Sequence, residues 1–531
     1  MKKLPYLTLL LWTVPLLLLG SDQSSLMPQD EAMYSVRARW MLETGDWLTP
    51  QSWGELVYEK TPGTYWIIAF FYQLFGVSEV TSRLPAQLAC ILSIFLTYQI
   101  ALMLLKRQQI AWLSAAILSV SFLWLQGSRL ATANISMISI GLLGIWCLLQ
   151  ASHSTRFSLW YFAAGLSFGL GFLIRGQMIF LPITALLPYL IFGHHRRHPL
   201  VNPMLYLGLA VGLMPTLLWF WLSWEKYGNV VFEQFFNLVK RIASEQRNGN
   251  SPFFYLWNTP LKAFPWPFFS FLGLILVWRK SPYRLILIGC PLVILAEISC
   301  VATRLPHYAL MLYPFMAMLA AVALDWLGMI YERGTKHKYL VRSLSYGFGG
   351  LGCLLFLAGL GLQISPVLGF REYIDLQKYG NIGVLLGLGW LTLPLMWVFR
   401  QRGNKFFTAK YWVAGWVVSA WLGLAAIAAA GLFSDYNPDV KVFFRDDAIA
   451  STVQRQAINF VVQETQSLTT GGDPSLLLLT FYTPHWGQRF RQVSELPARG
   501  YAWVSPESSD WSAAEYRHLG TFRGWKLIQS K

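Results

Sequence analysis

Residues 4–20 read LPYLTLLLWTVPLLLLG, behind Lys2-Lys3 and ahead of the polar Ser21-Asp22-Gln23. An uncharged run of this length approaches the roughly 20 residues that cross the hydrocarbon core of a bilayer. A secretory leader would end on small residues. Leu18-Leu19-Gly20 makes a poor cleavage site, so the run is read as a retained first span. Comparable segments recur near 84–105, 110–127, 133–150, 159–175, 177–193, 203–223, 263–278, 284–302, 306–330, 343–365, 380–399 and 410–432. With the first they make about thirteen spans, each near the length that crosses a membrane.

The composition agrees. Of 531 residues, 55% are apolar and 13% charged, and mean hydropathy is +0.43. A soluble domain carries about 25% charged residues. One water-soluble core cannot hide so much apolar surface. A net charge of +16 would suggest nucleic acid in a soluble protein, but here the cations cluster between apolar runs. With Lys2 and Lys3 inside, every even-numbered span should end in the cytoplasm. Lys106-Arg107, Arg156, His194-His195-Arg196-Arg197, Arg279-Lys280-Arg284, the stretch from Arg333 to Arg342, and Arg400-Gln401-Arg402 all follow such spans. That alternation is the positive-inside pattern, so no nucleic-acid partner is expected and membrane lipids are. The five cysteines form no CxxC pair and read as small hydrophobes.

Two expected outer loops are long, 21–83 and about 224–262. The first holds eight acids against four bases. The chain beyond 432 holds ten of each. In it, 448–466 has helical spacing, and 476–482, 501–504 and 518–528 read as strands. The expected fold is an all-α polytopic membrane protein with two parts. Residues 1–432 form the membrane domain, and 433–531 form a small extracytoplasmic α/β domain.

The first outer loop carries the densest chemistry. Tyr34, Ala38, Met41 and Leu42 recur at helical spacing, and Gly45 is placed to stop the helix. The pattern predicts an amphipathic juxtamembrane helix lying on the membrane surface. Asp30 at its start is either an N-cap or a catalytic carboxylate, and the roles can coexist. Glu59 and Lys60 are either a solvated pair or a functional pair, with Lys60 holding a lipid phosphate and Glu59 left for a metal or a sugar hydroxyl. Arg83, Arg129, Arg175, Arg247 and Arg304 fall on the side where cations are rare. An Arg near hydrocarbon needs an anion to offset its transfer cost. Glu297 beside Arg304 is one such anion, and a lipid phosphate, bound bidentately, is another. His307 is either a ligand or a hydrogen-bonded structural residue. No P-loop, dinucleotide fingerprint, HExxH or nucleophile elbow occurs, so ATP-driven transport and serine hydrolysis have no support.

These residues resemble the GT-C family of lipid-linked-sugar glycosyltransferases, which includes protein O-mannosyltransferases and bacterial aminoarabinose transferases of lipid A. The resemblance rests on Asp30-Glu31, Tyr34, Met41-Leu42, Gly45-Asp46-Trp47, Glu59-Lys60, Pro62, Tyr65-Trp66 and Arg83-Leu84-Pro85, in order over some fifty residues. Weaker matches are Arg129-Leu130-Ala131, Arg175-Gly176 ahead of Pro182, and Gln246-Arg247 through Tyr255 with Pro265-Trp266. Arg304-Leu305-Pro306-His307-Tyr308 with Tyr313-Pro314 completes the set. The span count and tail are most like the aminoarabinose transferase branch.

The resemblance implies transfer of a sugar, hexosyl or pentosyl, from a polyprenyl-phosphate carrier to a lipid, glycan or protein acceptor. The reaction would occur at the outer face of an inner membrane. Asp30 would be catalytic. Lys60, Arg247, Arg175 and Arg304 would bind the carrier phosphate. Glu31, Arg83, Arg129, Tyr58 and His307 would be further substrate contacts. Glu59 matches a position that can hold a divalent metal, but the histidine expected near Gln246 as its partner is absent. Thr61-Pro62-Gly63 stands where the family usually has Pro-Pro-Leu, and Asn134 where it often has Asp. Two alternatives stand beside this reading. One is a lipid or glycan transporter, although the ionisable groups gather at one surface and no repeat is seen. The other is a catalytically degenerate relative.

Overall fold

The computed structural model describes residues 4–193, 198–245, 249–278, 284–334, 337–365, 376–462, 473–508 and 515–531. The expected inner cluster His194-His195-Arg196-Arg197 lies outside them. Among the described residues, eight helices are long and apolar enough to cross a membrane: Glu79–Leu105, Ala133–His153, Phe157–Phe192, Pro203–Tyr227, Pro306–Arg333, Lys338–Ile364, Gln377–Gln401 and Ala409–Ala429. Two bent pairs, Gln108–Ser119 with Phe122–Ser128 and Phe254–Lys262 with Trp266–Trp278, raise the number to ten if each is one span. The chain is thus a multi-pass helical membrane protein, the form in which lipid leaves no backbone group unpaired.

Leu4–Leu18 is a shorter apolar helix, and it is built into the bundle. Trp12 donates from its indole nitrogen to Ser119 (3.1 Å), and Trp112 donates to Thr8 (3.0 Å). Trp421 donates to the Trp12 carbonyl at 2.8 Å.

The first outer loop departs from expectation. Asp30–Thr44 is a helix, and Gly45 ends it with φ of 69°, a conformation that a side chain would strain. It is not a surface helix with one wet face. Glu31 through Arg39 and Met41 are all buried. Arg37 donates to the Tyr65 hydroxyl at 3.0 Å inside the protein. Periodicity could not show this, because distant segments cover the polar side of the helix: Tyr65 takes Arg37, Arg83 takes Glu31 and the chain's C-terminal part takes Arg39.

That C-terminal part holds a five-stranded sheet. Its order is Trp486–Phe490, Ile458–Val461, Tyr501–Val504, Trp525–Ser530, Tyr516–Phe522. The first three strands are parallel, and the last two join antiparallel. Three tail expectations change. Residues 476–482 belong to the helix Pro474–Tyr482, capped by Asp473, whose carboxylate accepts from the Ser475 amide at 2.8 Å. This helix lies in the connection between two parallel strands, and such crossovers usually need one. The helix expected over 448–466 stops at Arg455, and Ile458–Val461 becomes a fully buried strand. Residues 463–466 lie outside the described residues. The strand expected over 518–528 folds back at Arg523-Gly524, both at positive φ (49° and 87°), into a hairpin.

The sheet and its helices grip the first outer loop. Arg39 reaches past the end of Pro474–Tyr482 and donates to the carbonyls of Phe481 and Thr483, both at 2.9 Å, and of Pro484 at 2.5 Å. It thereby satisfies carbonyls left over at a helix C-terminus. Trp40 stacks on Trp486 with ring centres 4.9 Å apart, and Trp53 meets Phe460 at 4.5 Å.

Candidate active site

Four separate elements bring the site together. Asp30 begins the Asp30–Thr44 helix, and Lys60 lies just before Gly63–Phe75. Arg175 ends Phe157–Arg175, where a cation suits the helix dipole. His307 enters from the turn Pro306–Leu312. Gly63 has a local reason to replace the family's leucine. A Cβ there would sit 2.6 Å from the Leu173 carbonyl oxygen, and neighbouring Thr64 donates to the Ile174 carbonyl at 2.9 Å. Close approach of these two helices sets Lys60 beside Arg175.

Asp30, Glu59, Lys60, Arg175 and His307 line one cavity of about 90 Å³, with Tyr34, Phe235 and Arg241. Lys60 Nζ lies 3.2 Å from Asp30 Oδ1 and 4.6 Å above the Tyr34 ring. Asp30 is therefore not the helix cap. Gln29 holds that position, with no side-chain bond. The Lys60 ammonium holds the Asp30 carboxyl well below the usual carboxylate range, against the opposing push of burial, and His307 and Arg175 add to the lowering. Burial pushes the Tyr34 phenol up to about 12, so it stays a neutral donor. Among the described residues, Arg175 has no ion pair or hydrogen bond. An ionised carboxylate and a guanidinium without such a partner thus face one small cavity. That space can receive an anionic oxygen group on its cationic side and a hydroxyl on its carboxylate side.

Glu59 and Lys60 do not pair with each other. Glu59 Oε1 accepts from Arg241 Nη2 at 2.5 Å, and Glu59 is 6% exposed. A divalent ion at Glu59 needs further ligands. Among the described residues, no group of three or more His, Cys, Asp or Glu is placed to hold one, and a guanidinium occupies the carboxylate. The described residues, taken alone, do not fit a metal at Glu59.

Other expected contacts lie elsewhere. Glu31 and Arg83 form a buried ion pair, with Arg83 Nε at 2.7 Å and Nη2 at 3.0 Å from the two carboxylate oxygens. Glu31 also accepts from the Met27 and Ala131 amides, and Arg83 donates to the Ser25 carbonyl. Arg129 donates to the carbonyls of Leu16 (2.7 Å) and Leu19 (2.5 Å), tying the first helix to the bundle. These three residues pin chain to chain and do not line the cavity. Arg304 donates to the Ser299 and Asn250 carbonyls at 3.0 and 2.9 Å, and Glu297 accepts from Thr184, so the two do not pair. Tyr58 packs on Trp219, outside the cavity. Asn134 donates to Thr132 at 3.1 Å, and Arg247 lies outside the described residues.

Arg241 was not singled out in the sequence. The signal was present in Val231, Phe235, Leu238 and Ile242, which recur at helical spacing within Val230–Ser244. The last three line the cavity, and Arg241 turns in beside them.

The sequence and the fold are similar to those of known proteins. Residues 59–221 match the family model for dolichyl-phosphate-mannose-protein mannosyltransferases. An undecaprenyl phosphate-alpha-4-amino-4-deoxy-L-arabinose arabinosyl transferase of Aeromonas hydrophila is 28% identical, over 80% of this chain and 85% of its own. The arabinosyl transferase 2 of Pseudomonas fluorescens is 25% identical, over 80% and 72%. The crystal structure of ArnT from Cupriavidus metallidurans bound to undecaprenyl phosphate superposes with a TM-score of 0.70 at 17% identity, covering 99% of this chain and 97% of that one. The apo form gives 0.68 at 19% identity, covering 99% and 96%. The chain is similar to GT-C-type glycosyltransferases. Within that class it is like the lipid A aminoarabinose transferases.

Proposed function

We propose that the protein moves a sugar from a polyprenyl-phosphate carrier to a lipid, glycan or protein acceptor at the outer face of an inner membrane. The placing of Asp30, Lys60, Arg175 and His307 around one cavity carries this reading. The relatives' arabinosyl donor favours a pentosyl group. Two short apolar helices, Leu4–Leu18 and Leu285–Cys300, and a division of Phe157–Phe192 into two crossings would raise the spans to about thirteen. That count puts the first outer loop and a separate domain over 433–531 on the outer side. The positive-inside pattern supports it.

The acceptor hydroxyl oxygen bonds to the anomeric carbon as the bond from that carbon to the phosphate oxygen breaks. The leaving phosphate takes the bonding electrons, and the hydroxyl proton moves to Asp30. Lys60 and Arg175, with Arg247, meet the growing phosphate charge. A carboxylate held this acidic by Lys60 is a weak base, and the ideal base titrates near the working pH. Arrival of the phosphate divides Lys60 between two anions and makes Asp30 more basic. Base strength therefore appears only when donor is bound.

The test uses the full chain in proteoliposomes with a labelled polyprenyl-phosphate sugar, scored by mass spectrometry of the acceptor lipids and glycans. Asp30→Asn should lower transfer by about 100-fold or more at unchanged expression. Unchanged transfer removes the catalytic role.

A further inference from the structure

The Pro306–Arg333 span carries His307 at one end and Asp325, Glu332 and Arg333 towards the other. Its Tyr313–Arg333 portion has 21 residues, a length of about 30 Å at the α-helical rise. At the far end from the catalytic cavity lies a larger groove, about 890 Å³, between the helices Leu4–Leu18, Gln108–Ser119, Tyr313–Arg333 and Ala409–Ala429. Its walls are apolar, built from Trp12, Trp112, Leu113, Met329, Val413 and Val417. Both indoles are fixed by hydrogen bonds to Ser119 and Thr8, so the walls are set before anything binds. The rim is ionic. Arg107 is paired with Asp325. Glu332 takes Arg400 at 3.0 Å and the Ala409 amide at 2.7 Å. The rim acids are thereby engaged, while Arg333 and Lys410 are exposed and have no ion pair or hydrogen bond among the described residues.

We propose that this groove seats one anionic diacyl phospholipid of the surrounding bilayer. An acyl chain lies against the indoles and valines, and the phosphate meets Arg333 and Lys410. The charge complement selects the occupant. The slot suits a hydrocarbon chain, and the free rim cations suit a head group with net negative charge. A zwitterionic lipid brings its own cation to the same rim. The site lies a full span from Asp30 and does not rest on the sugar-transfer reading.

The experiment uses the full-length protein in nanodiscs of equal phosphatidylglycerol and phosphatidylcholine, followed by mild delipidation and native mass spectrometry. Phosphatidylglycerol should be retained over phosphatidylcholine on the order of 10-fold, falling about fivefold with each of Arg333→Ala and Lys410→Ala. Ala414→Trp, at an exposed position on the groove wall, should abolish retention by filling the slot, with both cations intact. Equal retention of the two lipids overturns the proposal. So does retention unchanged in all three variants, or displacement of the bound lipid by polyprenyl phosphate.

Discussion

Replacing Arg83 by methionine separates two roles for one residue. The resemblance implies a substrate contact at Arg83, whereas the fold makes it half of a buried ion pair. Arg83 is 3% exposed and Glu31 0%. The Glu31 carboxylate takes two bonds from Arg83, at 2.7 and 3.0 Å, and one each from the Met27 and Ala131 amides, at 2.8 and 2.9 Å. Arg83→Met leaves the two amides but removes the countercharge, and an uncompensated buried charge costs about 3–5 kcal/mol. In a melting curve of the detergent-solubilised chain of 531 residues this corresponds to a fall in Tm of about 3–5 °C.

The exposed pair Lys226–Asp46, with side chains 47% and 28% exposed, is the control. Lys226→Ala should cost no more than about 1 kcal/mol. Adding Glu31→Leu to Arg83→Met removes the stranded charge, but it orphans the two amides at about 1–3 kcal/mol each. The double variant should therefore be less destabilised than the sum of the singles, yet short of wild type. If Arg83→Met melts within about 1 °C of wild type while transfer is lost, the ion-pair account fails and Arg83 is a substrate contact.

Lys60→Ala and Arg175→Ala should each lower transfer about 100-fold and weaken donor binding in a carrier-lipid titration. Undiminished binding in both would refute the phosphate role. The depressed Asp30 carboxyl sets a pH signature. Its ionised form persists as pH falls below the ordinary carboxylate pKa of about 4, so kcat/KM, which reports the free enzyme, should show no acid limb above that value. The kcat profile should show such a limb at higher pH, because bound phosphate shares Lys60. An acid limb near pH 6 in kcat/KM that disappears in Asp30→Asn would contradict the ion pair. Arg39→Leu should loosen the C-terminal sheet from the first outer loop, because it orphans the carbonyls of Phe481, Thr483 and Pro484. The readout is faster proteolysis within 433–531, and an unchanged digestion pattern would show that the aromatic stack alone holds the contact. Arg241→Ala should remove the guanidinium at 2.5 Å from Glu59 and lower transfer while the melting temperature holds, whereas equal losses of both would make the pair structural.

The order of residues alone dictates the solvent and supplies most of the ingredients. Long apolar runs must become helices in lipid, because nothing there can hydrogen-bond an exposed backbone. Short-range rules likewise placed Gly45 at a helix end and a strand at Tyr501–Val504. What it could not give was partnership. Glu59 and Lys60 are chain neighbours whose partners lie 182 and 30 residues away. Arg83 and Arg175 stand equally alone in sequence, yet one is neutralised inside the protein and the other faces the cavity. The Asp30–Thr44 helix reads as amphipathic until the helix Pro474–Tyr482, more than 400 residues on, packs against it and takes up Arg39. Local pattern fixes backbone conformation because the bonds that form it are local. The charge state and purpose of a buried ionisable group depend on which distant chain segment supplies its counterion, and only the packed tertiary structure decides that.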